Sequence, residues 1–238
     1  MVLALKTPFF LSLDVSVTRL KTFPTHHREI SNLAYPLGDT KQQEYEEYLQ
    51  GCLDQYSDEE EEYRQLCIEH ERVRIERSLL QPQSVYNYTT LGFAKIKAPK
   101  TAFELLQKFW NDNRDKATEE AWTPGRTEVN HWKVHSKMVS VEDYSLDGAG
   151  DLLKVQVWNE IRDTLQEWTG QRLAECSLYG IRIYQEGAVL ATHVDRLPLV
   201  SSAIINIDQD VDEPWQLEVI GHDGKAHNVT MVGSKTRE

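Results

Sequence analysis

Cysteine is scarce in this chain. Cys52, Cys67 and Cys176 are widely spaced in 238 residues, and no Cys-x-x-Cys occurs. A sparse, odd set argues against a disulfide framework and for a reducing compartment, so a cytoplasmic location is expected. Long apolar runs are also missing: nothing approaches the ~18 to 20 residues needed to cross a bilayer. Positive charge is in deficit, with 26 Lys and Arg against 38 Asp and Glu, a net charge of −12. That deficit disfavours nucleic acid and anionic membrane surfaces as partners, because both need a basic face. The expected partner is a protein or small-molecule substrate. Phosphate-cradling glycine loops, Gly-x-Ser-x-Gly elbows and Cys/His dyads are absent. The first 13 residues are apolar but carry Lys6 and Pro8, with Asp14 following. They are therefore not read as a secretory signal, and the sequons at Asn87 and Asn228 are taken as unused.

With 40% hydrophobic and 27% charged residues there is material for one sizeable core. Residues 1–40 show no sustained period and read as a poorly structured lead-in. Residues 41–80 contain no proline and one glycine, Gly51. Tyr45, Tyr48, Leu49 and Cys52 recur at helical steps, as do Tyr63, Leu66, Cys67 and Ile75. The five acids Asp58 to Glu62 between them read as a solvated helix face or an interhelix loop. Gln81-Pro82-Gln83 is expected to close this acidic helical region.

Residues 85–96 read as extended chain. Pro99 and Thr101 open a helix with Phe103, Leu106 and Trp110 on one stripe. Residues 129–141 are compatible with extended structure. Residues 152–168 form a further helix, with Leu152, Val155, Trp158, Ile161, Leu165 and Trp168 on one face and Gly170 as its cap. Beyond Gly170 the period becomes strand-like over 178–184, 189–195, 200–207, 217–220 and 227–231. The last two flank Gly221-His222-Asp223-Gly224, a hairpin signal. Helices followed by short antiparallel strands predict an α+β fold.

The candidate site is His193-Val194-Asp195. On a strand, residues i and i+2 share a face, so an imidazole and a carboxylate stand side by side and can share a divalent metal. The tripeptide alone carries little, since roughly half a match is expected by chance in such a chain. Its context carries more: Arg182-Ile183-Tyr184-Gln185-Glu186-Gly187 precedes it, and a β-branched strand follows.

Together these residues resemble the prolyl-4-hydroxylase-like branch of the Fe(II)/2-oxoglutarate-dependent dioxygenases. That branch reads Arg-x-Tyr-x-x-Gly, a short gap, His-x-Asp, then a distal His and a basic residue. The resemblance covers about 178–231, extends loosely upstream to about Gly92, and does not reach residues 1–80. It implies helices packed on a double-stranded β-helix, or jelly roll, with residues 85–238 as the oxygenase-like domain. Within that domain, residues 85–170 are helical support and residues 176–232 a partial jelly roll. It implies that His193 and Asp195 are iron ligands and that Tyr184 faces the 2-oxoglutarate pocket. Arg182 shares that face, where it either reaches the pocket or pairs an acid at the sheet surface. The implied cofactors are Fe(II) and 2-oxoglutarate, with ascorbate as an optional reductant.

The sequence departs from the family where the distal His should follow. It ends at Val232 to Glu238, so the last three strands, the third ligand and the 2-oxoglutarate anchor are expected to be missing. The expected enzyme is thus catalytically incomplete, as from a truncated coding sequence. Two rival readings are a non-catalytic interaction module using the acidic helix, and a cupin-like metal protein using His193, Asp195 and His227. His222 lies in the hairpin turn. His131 and His135 read as structural, and His26-His27 belongs to the lead-in.

Overall fold

The computed structural model describes residues 3–5, 10–12, 41–213 and 216–230. Expectations that rest on other residues, among them His26-His27 and the ending with Lys235 and Arg237, lie outside the described residues. The α+β layout is as expected. Its strands are β1 (Leu3–Leu5), β2 (Phe10–Ser12), β3 (Phe93–Ala94), β4 (Thr118–Glu119), β5 (Lys137–Ser140), β6 (Gly180–Ile183), β7 (Ser202–Ile204), β8 (Gln216–Ile220) and β9 (Ala226–Thr230). Its helices are α1 (Gln42–Leu53), α2 (Glu61–Ser84), α3 (Lys100–Asn113) and α4 (Asp151–Thr169). Among the described residues the strands form three small sheets, β1-β6-β5-β4, β3-β2-β7 and β8-β9, and no closed barrel.

Two stretches of the supposed lead-in are strands. β1 runs parallel to β6, with Leu3 opposite Ile181, and β2 lies antiparallel to both β3 and β7. Three-residue patches are too short to show a period, so only pairing with distant strands defines them. Extended chain over 85–96 shrinks to β3 alone, and over 129–141 to β5 and a single bridge between Val129 and Leu190. The hairpin is as expected: Ile220 faces Ala226, and the Gly221 amide donates to the Lys225 carbonyl at 3.0 Å.

The main core joins α3 and α4 to β5, β6 and the segment around β7 through Leu106, Phe109, Leu153, Val157, Ile161, Ile181, Ala203 and Ile205. On α4 the buried row is Leu153, Val157, Ile161 and Leu165, whereas Leu152 and Val155 are 72% and 48% exposed. The expected stripe holds from Trp158 to Trp168, with Ile161 and Leu165 buried and the two tryptophans packed against the core, while in the first turns Leu153 and Val157 take the buried places expected of Leu152 and Val155. Gly170 caps α4 in the left-handed region at φ 66°.

The acidic tract is an interhelix element. Asp58–Glu60 form a 3-10 turn, and Glu61 and Glu62 open α2. Carboxylates there meet the positive end of the helix dipole. The Ser57 amide donates to Glu60 Oε2 at 3.0 Å, which holds the Glu60 carboxyl below its ordinary pKa. α2 does not stop at Gln81 but continues through Pro82 to Ser84. Pro82 is buried in the last turn, where only two further residues of helix follow it.

The cysteine expectation is overturned. Cys52 on α1 and Cys67 on α2 form a disulfide with Cα atoms 6.1 Å apart, and only Cys176 is free. Wide sequence spacing does not separate two cysteines whose helices pack side by side. The bridge removes the ground for inferring a reducing compartment. No helix among the described residues is long and apolar enough to cross a membrane.

Candidate functional site

His193 and Asp195 do not lie on a strand. Regular pairing ends at the Val129–Leu190 bridge and the Ala191 amide, which donates to the Glu128 carbonyl at 2.8 Å. Residues 191–196 then have no ladder partner among the described residues. The two side chains nevertheless face each other, with His193 Nε2 3.9 Å from Asp195 Oδ1. Each is about one-third exposed.

The outer atom of each group is already engaged. His193 Nδ1 lies 2.7 Å from the Ala191 carbonyl oxygen. A carbonyl only accepts, so Nδ1 carries a proton and Nε2 is the ring nitrogen left to act as a ligand. Asp195 Oδ2 accepts from the Ser202 hydroxyl at 2.6 Å. Nε2 and Oδ1 are the remaining donors, one imidazole nitrogen and one carboxylate oxygen.

The pair opens into a cavity of about 850 Å³. Its lining includes Tyr48, Trp132, Arg74, Arg182, Tyr184 and Lys133 as well as His193 and Asp195. That size falls in the usual range for small-molecule sites. Tyr184 is 5% exposed; burial raises its phenol pKa, while the Arg182 guanidinium beside it pulls the other way. Arg182 grips Glu120 with two hydrogen bonds of 2.7 Å and lies over the Trp122 ring. Burial opposes its charge, but Glu120 more than restores it. Both positions left open for Arg182 are thus filled at once: it pairs an acid and lines the cavity. Lys41 at the rim pairs with Glu218 at 3.0 Å. Lys133 is the lining Lys or Arg without an ion pair among the described residues.

The remaining wall comes from α1 and α2, where no site residue was expected. Arg74 is 5% exposed and Glu71 is fully buried. Arg74 Nε and Nη2 bond the two Glu71 oxygens at 2.8 and 2.5 Å. Tyr45 on α1 completes the group by donating to Glu71 Oε1. Burial opposes the Arg74 charge, and Glu71 holds its pKa up. Arg74 Nη1 also donates to the Thr192 carbonyl, and the Gln81 amide donates to the Asp195 carbonyl. A sequence signal existed: counted from Cys67, Glu71 and Arg74 fall at i+4 and i+7, inside the buried stripe. Charged residues on an apolar stripe mark a buried pair.

His227 is not brought to this site. It sits on β9 with Nε2 3.1 Å from Asp223 Oδ1 and its ring against Phe93. That contact, foremost, lowers the Asp223 pKa. His222 Nδ1 lies 2.9 Å from the Thr89 carbonyl oxygen. Among the described residues no group of three His, Cys, Asp or Glu side chains is arranged to hold a metal. The set of His193, Asp195 and His227 is therefore not assembled. His131 is buried between Trp122 and Trp132.

Compared with protein-family models, curated proteins and solved structures, the chain matches none.

Proposed function

We propose that the chain is an Fe(II)/2-oxoglutarate-dependent dioxygenase-like protein in which His193 and Asp195 supply two metal ligands. The observation that carries this reading is the orientation of their free atoms. Nε2 and Oδ1 face each other at 3.9 Å, while Nδ1 and Oδ2 are held by Ala191 and Ser202. Metal-binding imidazoles characteristically donate their other N–H to a carbonyl or carboxylate. Two ligands at right angles, ~2.1 Å from one metal, stand ~3.0 Å apart. The observed 3.9 Å is within about 1 Å of that separation.

Nitrogen and carboxylate donors suit Fe(II), and open positions suit a bidentate cosubstrate. In this reading the three small sheets belong to a jelly roll, and Tyr184 lines the 2-oxoglutarate side of the cavity. When bound, iron and 2-oxoglutarate supply O₂-dependent hydroxylation of a C–H bond, with release of succinate and CO₂. The chain's own residues orient His193 and Asp195, exclude water and position the substrate. A third ligand is not present among the described residues, and the two arginines of the cavity wall are already paired with Glu71 and Glu120. Metal affinity is therefore weak and oxoglutarate turnover by this chain undetectable.

Anaerobic Mn(II) titration tests the reading. Binding weaker than low-micromolar order is expected, abolished by His193→Ala and by Asp195→Ala. Binding that both variants retain at full strength overturns it.

A further inference from the structure

We infer that Arg74 and Gln81 of α2 are positioning residues for the His193–Asp195 segment, taking the part that a neighbouring strand would otherwise play. The inference rests on the reading of His193 and Asp195 as metal ligands.

A chain segment that carries two ligands needs a fixed backbone, because each ligand's direction follows from its own φ and ψ. In a sheet, hydrogen bonds to the adjacent strand provide that. Here the ladder stops at Leu190 and Ala191. The carbonyls on either side of the ligand pair, those of Thr192 and Asp195, are taken instead by Arg74 and Gln81. Residues 74 and 81 are seven apart, two helical turns, so both project from the same face of α2. The spacing lets one rigid helix hold both ends of the segment.

Arg74 is itself immobilised. Its fork is closed on Glu71, and Glu71 is held by Tyr45 from α1. The order of support runs from α1 to Glu71, then to Arg74, then to the Thr192 carbonyl. Residues 41–84, which lie outside the stretch that carries the family resemblance, are thereby an integral part of the site. Arg74 and Gln81 touch backbone carbonyls and not the donor atoms, so they act through the orientation of His193 and Asp195.

Gln81→Met tests this, because it keeps side-chain length and removes the donor. Gln83→Met is the matched control. Gln83 donates to the Leu79 carbonyl at 2.8 Å in the same turn of helix and does not touch the segment. Without metal, backbone order parameters over residues 192–196 should fall in Gln81→Met, from about 0.85 for a rigid backbone towards about 0.6 for a flexible one. The ¹⁵N shifts of the His193 ring should move away from a pure Nδ1–H tautomer. Gln83→Met should leave both as they are. Where Mn(II) binding depends on His193, Gln81→Met should weaken it about tenfold and Gln83→Met should not. Equal order parameters and equal tautomer in the two variants overturn the inference. So does His193-dependent Mn(II) binding that Gln81→Met leaves unchanged. Binding that ignores His193 overturns the metal-site reading alone, and the metal-free measurements still decide the positioning role.

Discussion

The phenol of Tyr45 donates to Glu71 Oε1 at 2.6 Å and thereby ties α1 to the one carboxylate that neutralises buried Arg74. Burial, reinforced by Glu71, pushes the Tyr45 pKa far above its ordinary value, so the phenol remains a donor throughout the working pH range. The three side chains form one unit, in which removing Arg74 or Glu71 leaves the other's charge buried without its counter-ion.

That arrangement makes Arg74→Met costly. An unpaired carboxylate in a fully buried position destabilises by about 3 to 5 kcal/mol. The double variant Glu71→Leu/Arg74→Met removes both charges and should cost distinctly less than the single change. Urea unfolding of the wild type, of Arg74→Met, of Glu71→Leu and of the double variant checks this. A double variant that loses as much as the sum of the single losses would show that the pair is not coupled.

The Cys52–Cys67 bridge closes a loop with a sequence separation of 15 residues. Loop-closure entropy assigns such a bridge about 3 kcal/mol. Replacing both cysteines with serine should lower unfolding free energy by about that amount. Thiol titration of the denatured, unreduced protein should find only Cys176, and after reduction all three cysteines. Three reactive thiols before reduction would mean that the bridge does not form in the protein as made.

His131 supplies a pH dependence. It is 9% exposed, and its Nε2 has no hydrogen-bond partner among the described residues. Burial lowers its pKa; the Arg126 backbone works against that, and His135 adds to it. A histidine depressed in the folded state binds its proton more readily when unfolded. Its contribution is therefore fully present above about pH 6.5, the unfolded value, and is lost as pH falls towards the folded value. Melting temperature should drop between pH 7 and pH 5, and His131→Phe should flatten that drop. An unchanged slope in the variant would remove His131 as its cause.

Local pattern was sufficient for some elements. Periodicity located α3 and α4, Gly170 marked the end of α4, and the Gly221 to Gly224 run marked the β8-β9 turn. Each of these is decided within a few residues of chain, by side-chain spacing and backbone φ. The helical content of residues 41–80 was legible for the same reason. The adjacency of His193 and Asp195 could also be read from their spacing, although the strand assumed to produce it is not there.

What only the tertiary structure decided depends on contacts between residues far apart in the chain. Arg74 reaches the Thr192 carbonyl across 118 residues, and Gln81 reaches the Asp195 carbonyl across 114. No local period encodes such a pairing, because the partner is a backbone oxygen that every residue carries. β1 and β2 became strands only by joining β6 and β7, and Cys52 met Cys67 only because α1 packs on α2. The sequence by itself determined which segments curl into helices and which two polar side chains, those of His193 and Asp195, stand side by side. The tertiary structure decided what holds the segment between them in place: side chains of α2 bonded to its backbone carbonyls where the described residues offer no neighbouring strand.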